Sequence, residues 1–542
     1  MTAGWFSFLR GVGAVLVTAG LLFAAGCDSN NSGMGNGDDD ITVENPNYDT
    51  TSVSGGPDEI VVSDDADNLG IGYVSAQGDT VRDVTWSSDN IYQLDNFVFV
   101  DEGETLTIEP GTIVQGLPGR GADAASLIVT RGGKINADGE KSDGTIDPII
   151  FTAAADDGSG LGADVKGRWG GVILLGDATI NSEPPTTQIE GIPDAVGGDR
   201  IRYGAENGNF DDNHNVGTLR YVSIRHTGTQ LQGGDEIQGL TLGGVGNGST
   251  IEYVESYASD DDGFEWFGGT VNTKYLIAAY ASDDAFDIDE GYQGGNQFWL
   301  AVHGPEEAGR IGEHDGGTDP EAGQPFATSE VSNATYIGIG PGVSTQDVSG
   351  DGNNPFLMQR DNNATSYYNT IFMDGRTNSG LQIEDLDGSE DAANRWANGD
   401  LKHQDNLWYN IGPDFSDQTT FEDLIQLTTD DKGNVSGDRG EAMRGNLADY
   451  LRNNGNQVLD PSQSPITSIT RSAGARGPDG GIQTFDPTPA GPATSGANQP
   501  DQFGSGGENS SWTSVSFRGA FGSGADWNLA DWALIAQDGT VK

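Results

Sequence analysis

Tyr257-Ala-Ser-Asp-Asp-Asp-Gly-Phe-Glu-Trp-Phe267 is followed closely by Tyr280-Ala-Ser-Asp-Asp-Ala-Phe-Asp-Ile-Asp289. The two copies are offset by 23 residues at their start and by 22 after a one-residue slip. Self-similarity at roughly 20 to 50 residues marks stacked supersecondary units, none of which buries its apolar face alone. Each copy is short, rich in β-formers and bounded by Gly, Asp and Asn, so the period reads as one coil of a β-solenoid.

The same style extends in both directions. Leu219-Arg-Tyr-Val-Ser-Ile-Arg225, Ile251-Glu-Tyr-Val-Glu-Ser-Tyr257 and Thr273-Lys-Tyr-Leu-Ile-Ala-Ala-Tyr280 read as successive rungs, continued by Ala334-Thr-Tyr-Ile-Gly-Ile339 and Ser366-Tyr-Tyr-Asn-Thr-Ile-Phe372. Alternate side chains point inward and stack on the equivalent residue of the next coil, about 4.8 Å away. The expected fold is all-β, a solenoid with coils of about 22–25 residues. Its ends need caps. Residues 441–542 are expected to supply a C-terminal capping segment, with a short helix from Glu441 to Leu451 and anchors in Trp512, Phe517, Phe521, Trp527 and Trp532.

Upstream, Thr105-Leu-Thr-Ile-Glu-Pro-Gly-Thr112, Arg131-Gly-Gly-Lys134 and Gly167-Arg-Trp-Gly-Gly171 join the Ser-Asp-Asp coils in a more specific pattern. Together they resemble a family of exported bacterial proteins with a pectate-lyase-like, right-handed parallel β-helix, many of them surface lipoproteins. The resemblance covers roughly residues 74 to 380, with a weaker echo in Phe517-Arg-Gly-Ala-Phe521 and Trp527 to Leu534. It implies the fold more firmly than a function. The domain plan is a signal peptide at 1–27, a disordered tether at 28–72, the β-helix at 73–440 and the cap with its loops at 441–542.

Charge sets the next limit. The 83 acidic and 26 basic residues leave a net charge of −57. Nucleic acid is excluded as a partner, because phosphate backbones are held by Lys and Arg, and only seven Lys are present. A disordered acidic chain is disfavoured, since 35% apolar and 8% aromatic residues arranged in alternating strands supply a core. The acidity is then a surface property. At about 1 M salt the screening length falls to roughly 3 Å, so such a surface suits a salt-adapted, halophilic source.

Residues 1–27 carry an address. Arg10 precedes an apolar stretch from Gly11 to Ala25, and Ala24-Ala25-Gly26-Cys27 places small residues before the only cysteine of the chain. This resembles a bacterial lipoprotein signal, which implies a lipid on Cys27 and export to the envelope, with the outer membrane as the expected location. Ala24 stands where Leu is commonest. The apolar run is shorter than the ~20 residues that span a bilayer.

The repeat also stacks acid on acid. In the slipped alignment Phe264 falls on Phe286, Trp266 on Ile288 and Glu265 on Asp287, with Asp261 and Asp262 on Asp283 and Asp284. Aromatic and aliphatic residues are expected inside and the carboxylates in water. Like charges roughly 5 Å apart cost about 1 kcal/mol per pair in water and about 3–4 kcal/mol at an effective dielectric of 20. Molar salt, a bound Ca²⁺ or a catalytic role would offset this. The candidate calcium ligands are Asp260, Asp261, Asp262, Glu265, Asp283, Asp284, Asp287 and Asp289, because Ca²⁺ takes six to eight oxygen ligands.

Two functions follow from different classes. A non-enzymatic surface binding or adhesion protein with a glycan ligand is favoured, using exposed residues such as Phe267 and Tyr292. The alternative is a polysaccharide lyase or glycoside hydrolase, since some β-helix proteins are such enzymes and pair Ca²⁺ or twin carboxylates with a basic group. Arg225, His226, Lys274 and Arg360 are the weak candidates for that basic site. Outside catalysis, Lys274 would pair with nearby acid and His226 would lie at a surface or turn. His303 and His314 lack zinc-protease spacing, and no glycine run is followed by the Lys-Ser/Thr of a phosphate loop.

Overall fold

A computed structural model of the chain describes residues 48–51, 57–63, 73–74 and 80–81. From 83 to 542 it describes all except 232–234, 305–306, 318–319, 341–354, 376–379, 387–389, 412–419, 429–437, 473–480, 502, 505, 508–509 and 526. The expected signal peptide, Cys27 and most of the expected tether lie outside the described residues.

The doubled phrase forms adjacent coils of a parallel β-helix. Phe264–Phe267 runs parallel to Phe286–Asp289, with Phe264 opposite Phe286, Glu265 opposite Asp287 and Trp266 opposite Ile288. Ten strands from Phe97–Val100 to Ile425–Thr428 stack in this way into one sheet. Their inward rows join the main core, where Phe286 stacks on Trp299 at 4.3 Å and Phe372 on Trp408 at 4.2 Å. Such pairs contribute about 0.5–1.5 kcal/mol beyond their buried area.

A 19-stranded sheet forms the rest of each coil, bent at one repeated corner. Within Gly217–Arg225, Thr250–Tyr257, Thr273–Ala279 and Gly295–Val302 one residue has positive φ: Tyr221 at 53°, Tyr253 at 52°, Tyr275 at 57° and Phe298 at 60°. In later coils Asn333, Asn369 and Asp405 take this place. The left-handed conformation costs a bulky residue about 1–2 kcal/mol. Stacking offsets it, for the rings of Tyr221, Tyr253, Tyr275 and Phe298 lie 4.4, 4.3 and 5.0 Å apart in sequence.

The slip inferred from sequence is absent from the backbone. Between these two coils the offset is 22 residues in both sheets, since Ile251 faces Thr273 just as Phe264 faces Phe286. Tyr257 therefore lies beside Ala279, and Tyr280 takes a second positive-φ corner, held one coil earlier by Ala258 and before that by His226. The match at offset 23 sets equal letters one step out of register.

The Gly167-Arg-Trp-Gly-Gly171 phrase has a packing cause. A Cβ on Gly170 would stand 1.9 Å from Ser126 Oγ, and one on Gly171 2.2 Å from the Gln238 carbonyl oxygen. Trp169 is fully buried beside them and donates its indole N–H to Arg225 O at 2.7 Å.

Both ends differ from the expected boundaries. Asp58–Ser63 pairs antiparallel with Tyr48–Thr51 and parallel with Asn90–Asp95, and Val62 is buried in the core. Strands thus begin inside the segment expected to be a disordered tether, because Ile60-Val61-Val62 gives an apolar run despite its polar flanks. At the other end, helix Asp438–Asn453 inserts Leu447, Ala448 and Leu451 into the core.

The chain beyond that helix does not continue the cap. Gln457–Val458 adds one more parallel strand beside Leu407–Tyr409, Ile466–Arg471 and Ile482–Pro489 form an antiparallel pair, and the chain from about Asn498 runs along the outside of the larger sheet as a strap. Asn369 Nδ2 donates to Asn498 O at 2.9 Å, Asn272 Nδ2 to Gly506 O at 2.6 Å, Gln297 Nε2 to Thr513 O at 2.9 Å and Asn333 Nδ2 to Phe517 O at 2.9 Å. Trp527 then meets Tyr275 edge-on and Trp532 meets Tyr253 and Tyr221. The strap crosses the coils three times and covers the tyrosine corner. No helix among the described residues is long and apolar enough to cross a membrane.

Candidate functional site

The acidic residues of the doubled phrase line the outer side of the ten-stranded sheet. Glu265, Asp287 and Glu313 stand in one row, and Asp315 lies opposite Arg360 in the next. They do not all face water as expected: Glu265 is 5% exposed, Asp262 8% and Asp284 2%. Asp283 is exposed, while Asp260, Asp261, Asp287 and Asp289 are half-buried.

Residues 176–216, an excursion between Val172–Leu175 and Gly217–Arg225, roof this side of the stack. Ile180, Ile189, Ile192, Ile201 and Tyr203 form an apolar cluster with Phe267, and Tyr203 lies 5.8 Å from the Phe267 ring. Asn181 ties the roof down, its N–H donating to Glu290 O at 3.0 Å and its Nδ2 to Gly316 O at 2.6 Å. Phe267 and Tyr292, expected at the surface, are both buried. The roof covers Phe267, whereas Tyr292 turns into the core, its one hydroxyl proton within reach of Val271 O at 2.7 Å and Asn296 Oδ1 at 2.8 Å.

Charge along this face is compensated unevenly. Arg310 pairs with Glu313 and, at 3.7 Å, with Asp284. Arg360 reaches Asp315 at 2.7 Å and Glu313 at 2.8 Å. Burial pushes the Glu313 carboxyl up, but the two guanidinium groups outweigh that and hold it below its ordinary range. Asp262, Glu265 and Asp287 form no ion pair among the described residues, and burial together with neighbouring carboxylates pushes all three well up, against a smaller lowering of Asp287 by Arg360. Oxygens of these three lie within 4.8 Å of one another, as do those of Asp261, Asp262 and Asp283. Bulk salt screens Asp283 but does not reach a carboxylate buried as deeply as Glu265.

Of the four basic candidates, only Arg360 joins this face. Arg225 is fully buried and donates to Ser223 Oγ and Gly158 O, both at 2.7 Å. His226 is buried rather than at a surface: its Nδ1–H donates to Val165 O at 2.6 Å and its Nε2 accepts the Leu161 N–H at 3.1 Å. Burial holds its pKa below the ordinary value. Lys274 lies in register with Glu252 and donates to Ser511 O at 2.7 Å.

Asp260 belongs to a different group, which sequence reasoning missed. Its Oδ1 accepts Ser282 Oγ at 3.2 Å, and Ser282 accepts Lys166 Nζ at 2.9 Å. Lys166 is ion-paired with Glu307 at 3.5 Å. Lys166 and Glu307 border a cavity of about 480 Å³ whose walls include Tyr257, Tyr280, Asp164 and Asp538. The two rings meet edge-to-face at 5.4 Å, and Tyr257 OH donates to Asp538 Oδ2 at 3.2 Å. Burial pushes both phenols up, so both keep their protons. The signal was on view, since Tyr257 and Tyr280 open the two copies of the phrase; Lys166 and Asp538 join them only through folding.

A family model described as a pectate-lyase like beta helix domain matches residues 78–448. Two solved structures of the pectin methylesterase from Aspergillus niger, in penultimately deglycosylated and deglycosylated forms, are similar at 14% and 13% identity. Each alignment covers 74% of this chain and 98% of the esterase chain, with a TM-score of 0.23. No curated protein matches the chain.

Proposed function

We propose, from the premise that the chain belongs to the pectate-lyase-like β-helix domain family, that it is a carbohydrate-binding protein of the cell envelope. One observation carries this reading: two tyrosines, three carboxylates and one lysine converge on a single concave site beside the stack. Sugar C–H faces pack on aromatic rings, and sugar hydroxyls donate to carboxylates and accept from ammonium groups. The cavity falls within the ordinary size of ligand sites. An ion-paired Lys166 acts as a hydrogen-bond donor rather than as a base. The net charge of −57 favours neutral glycans over polyuronates, which it repels.

Export and a lipid on Cys27 complete the proposal. Support comes from the apolar stretch before Ala24-Ala25-Gly26-Cys27 and from the absence of any other cysteine. Labelled palmitate is expected in the wild-type chain and not in Cys27→Ser; equal labelling of both counts against the anchor.

Titration calorimetry with neutral and anionic oligosaccharides tests the site. Binding of a neutral oligosaccharide is expected, weakened tenfold or more by Lys166→Met and by Glu307→Gln at unchanged melting temperature. No binding across the panel overturns the proposal. Unsaturated or reducing-end products establish the lyase or hydrolase class in its place.

A further inference from the structure

The acidic face divides at its middle. Toward the C-terminal coils, Arg310 and Arg360 form ion pairs with Asp284, Glu313 and Asp315. One and two coils earlier, Asp262, Glu265 and Asp287 form no ion pair among the described residues. Two observations show that this half is incomplete as a set of protein groups. Glu265 is 5% exposed, yet among the described residues its Oε2 has no hydrogen-bond partner; Asp287 Oδ1 is likewise buried and unpartnered among them. Around Asp262, by contrast, the Asp284 N–H donates to Oδ1 at 2.8 Å, which fixes that carboxylate in place.

We propose that Asp262, Glu265 and Asp287 hold one calcium ion beside the roof formed by residues 176–216, as a structural site. Geometry admits the ion. Ligand oxygens at about 2.4 Å from a common centre are separated by at most about 4.8 Å, and those of the three carboxylates meet this limit. Magnesium binds at about 2.1 Å, keeps several waters and demands octahedral order, which a covered, acid-only cluster serves poorly. Charge argues the same way. A buried carboxylate without a partner costs several kcal/mol, and a divalent ion cancels two such charges at once.

The site ties three parts of the molecule together. Glu265 and Asp287 come from adjacent strands, and Asp262 from the corner that precedes the first. Phe267, two residues from Glu265, packs against the roof. An ion here therefore fastens neighbouring coils and supports the surface on which the roof rests. This use differs from that of a surface ion bridging enzyme and substrate, because Glu265 and Asp262 are buried.

The test uses the purified full chain at fixed ionic strength. Elemental analysis after exhaustive dialysis is expected to find about one calcium per chain, removable by a strong chelator. Melting temperature is expected to rise by about 5 °C between chelator and about 1 mM free Ca²⁺, as mass action requires for a site filled far above its Kd. Magnesium is expected to give less than half of that shift. Glu265→Gln and Asp287→Asn remove charge at nearly constant shape. Each is expected to abolish the calcium response and to melt above the wild-type chain in chelator, since a stranded charge is gone. A wild-type chain that retains no calcium and melts alike in chelator and Ca²⁺ overturns the proposal, as do equal shifts with Mg²⁺. Variants that lose stability equally in both conditions also overturn it. None of these readouts involves a glycan, so the result is separable from that of the Tyr257 and Tyr280 cavity.

Discussion

Glu255 accepts the backbone N–H of Leu534 at 2.8 Å and that of Ile535 at 3.0 Å, so a buried carboxylate on the outer side of the larger sheet anchors the end of the strap. Ser223 also donates to it, and Arg225 lies beside it. Glu255→Ala strands two N–H groups and a buried guanidinium. A loss of about 3–5 kcal/mol is expected, as when a buried ionic partner is removed. Hydrogen exchange at Leu534 and Ile535 measures it directly; unchanged protection there excludes the anchoring role.

Tyr253 sits in the middle of the stacked corner, 4.4 Å from Tyr221 and 4.3 Å from Tyr275, with Trp532 edge-on above it. Tyr253→Phe retains the ring and is expected to cost about 1 kcal/mol or less. Tyr253→Val is expected to cost about 3–5 kcal/mol, since it deletes the stack and sets a β-branched residue at a φ of 52°. Denaturant unfolding separates the two; equal losses would mean that the ring contributes nothing at this corner.

Gly171 and Gly445 predict opposite signs for one substitution. A methyl on Gly171 meets the Gln238 carbonyl oxygen at 2.2 Å, whereas one on Gly445, in helix Asp438–Asn453, meets nothing within 4 Å. Gly171→Ala is expected to destabilise by about 1–3 kcal/mol or more. Gly445→Ala is expected to stabilise by about 0.8–1 kcal/mol through helix propensity. Thermal melts of both variants check the pair.

His403 is fully buried, stacks on Tyr367 at 5.7 Å and donates its Nε2–H to Gln359 Oε1 at 2.8 Å. Burial holds its pKa down to about 3, against about 6.5 in the unfolded chain. Between those values the unfolded chain binds the extra proton, so this contribution is complete above pH 6.5 and is lost as pH falls toward 3. From pH 6.5 to 4.5 the wild-type chain is expected to lose about 2–3 kcal/mol more than His403→Gln. Parallel pH profiles of melting temperature would remove His403 from the acid limb.

The fold was legible in residues 257–289 because parallel stacking leaves a simple trace: Phe264 and Phe286, or Trp266 and Ile288, recur at the coil length on one inward row. Identity of letters was a poorer guide than period, as the Tyr257 and Tyr280 match shows. Burial of the acidic row was not legible, because the roof comes from residues 176–216, which carry no repeat. Alternation reports which side of a strand a residue takes and is silent on what else folds over that side. The same holds for Phe267, correctly read as distinct from the inward row and wrongly read as exposed. Arg310 and Glu313 escaped notice because Asp287 and Glu313 are 26 residues apart, which breaks the 22-residue spacing.

A solenoid held only by neighbouring coils frays from its ends, each coil melting when the next has gone. The three passes of the strap change that rule. Asn498 engages Asn369, Gly506 engages Asn272, Phe517 engages Asn333, and Leu534 engages Glu255, so one continuous segment is stitched to coils far apart in the stack. Loosening any central coil releases contacts that the same segment makes elsewhere. The central stack and its strap should therefore melt in one sharp, cooperative transition, and a protease that cuts the strap once should turn that transition into a broad, stepwise one.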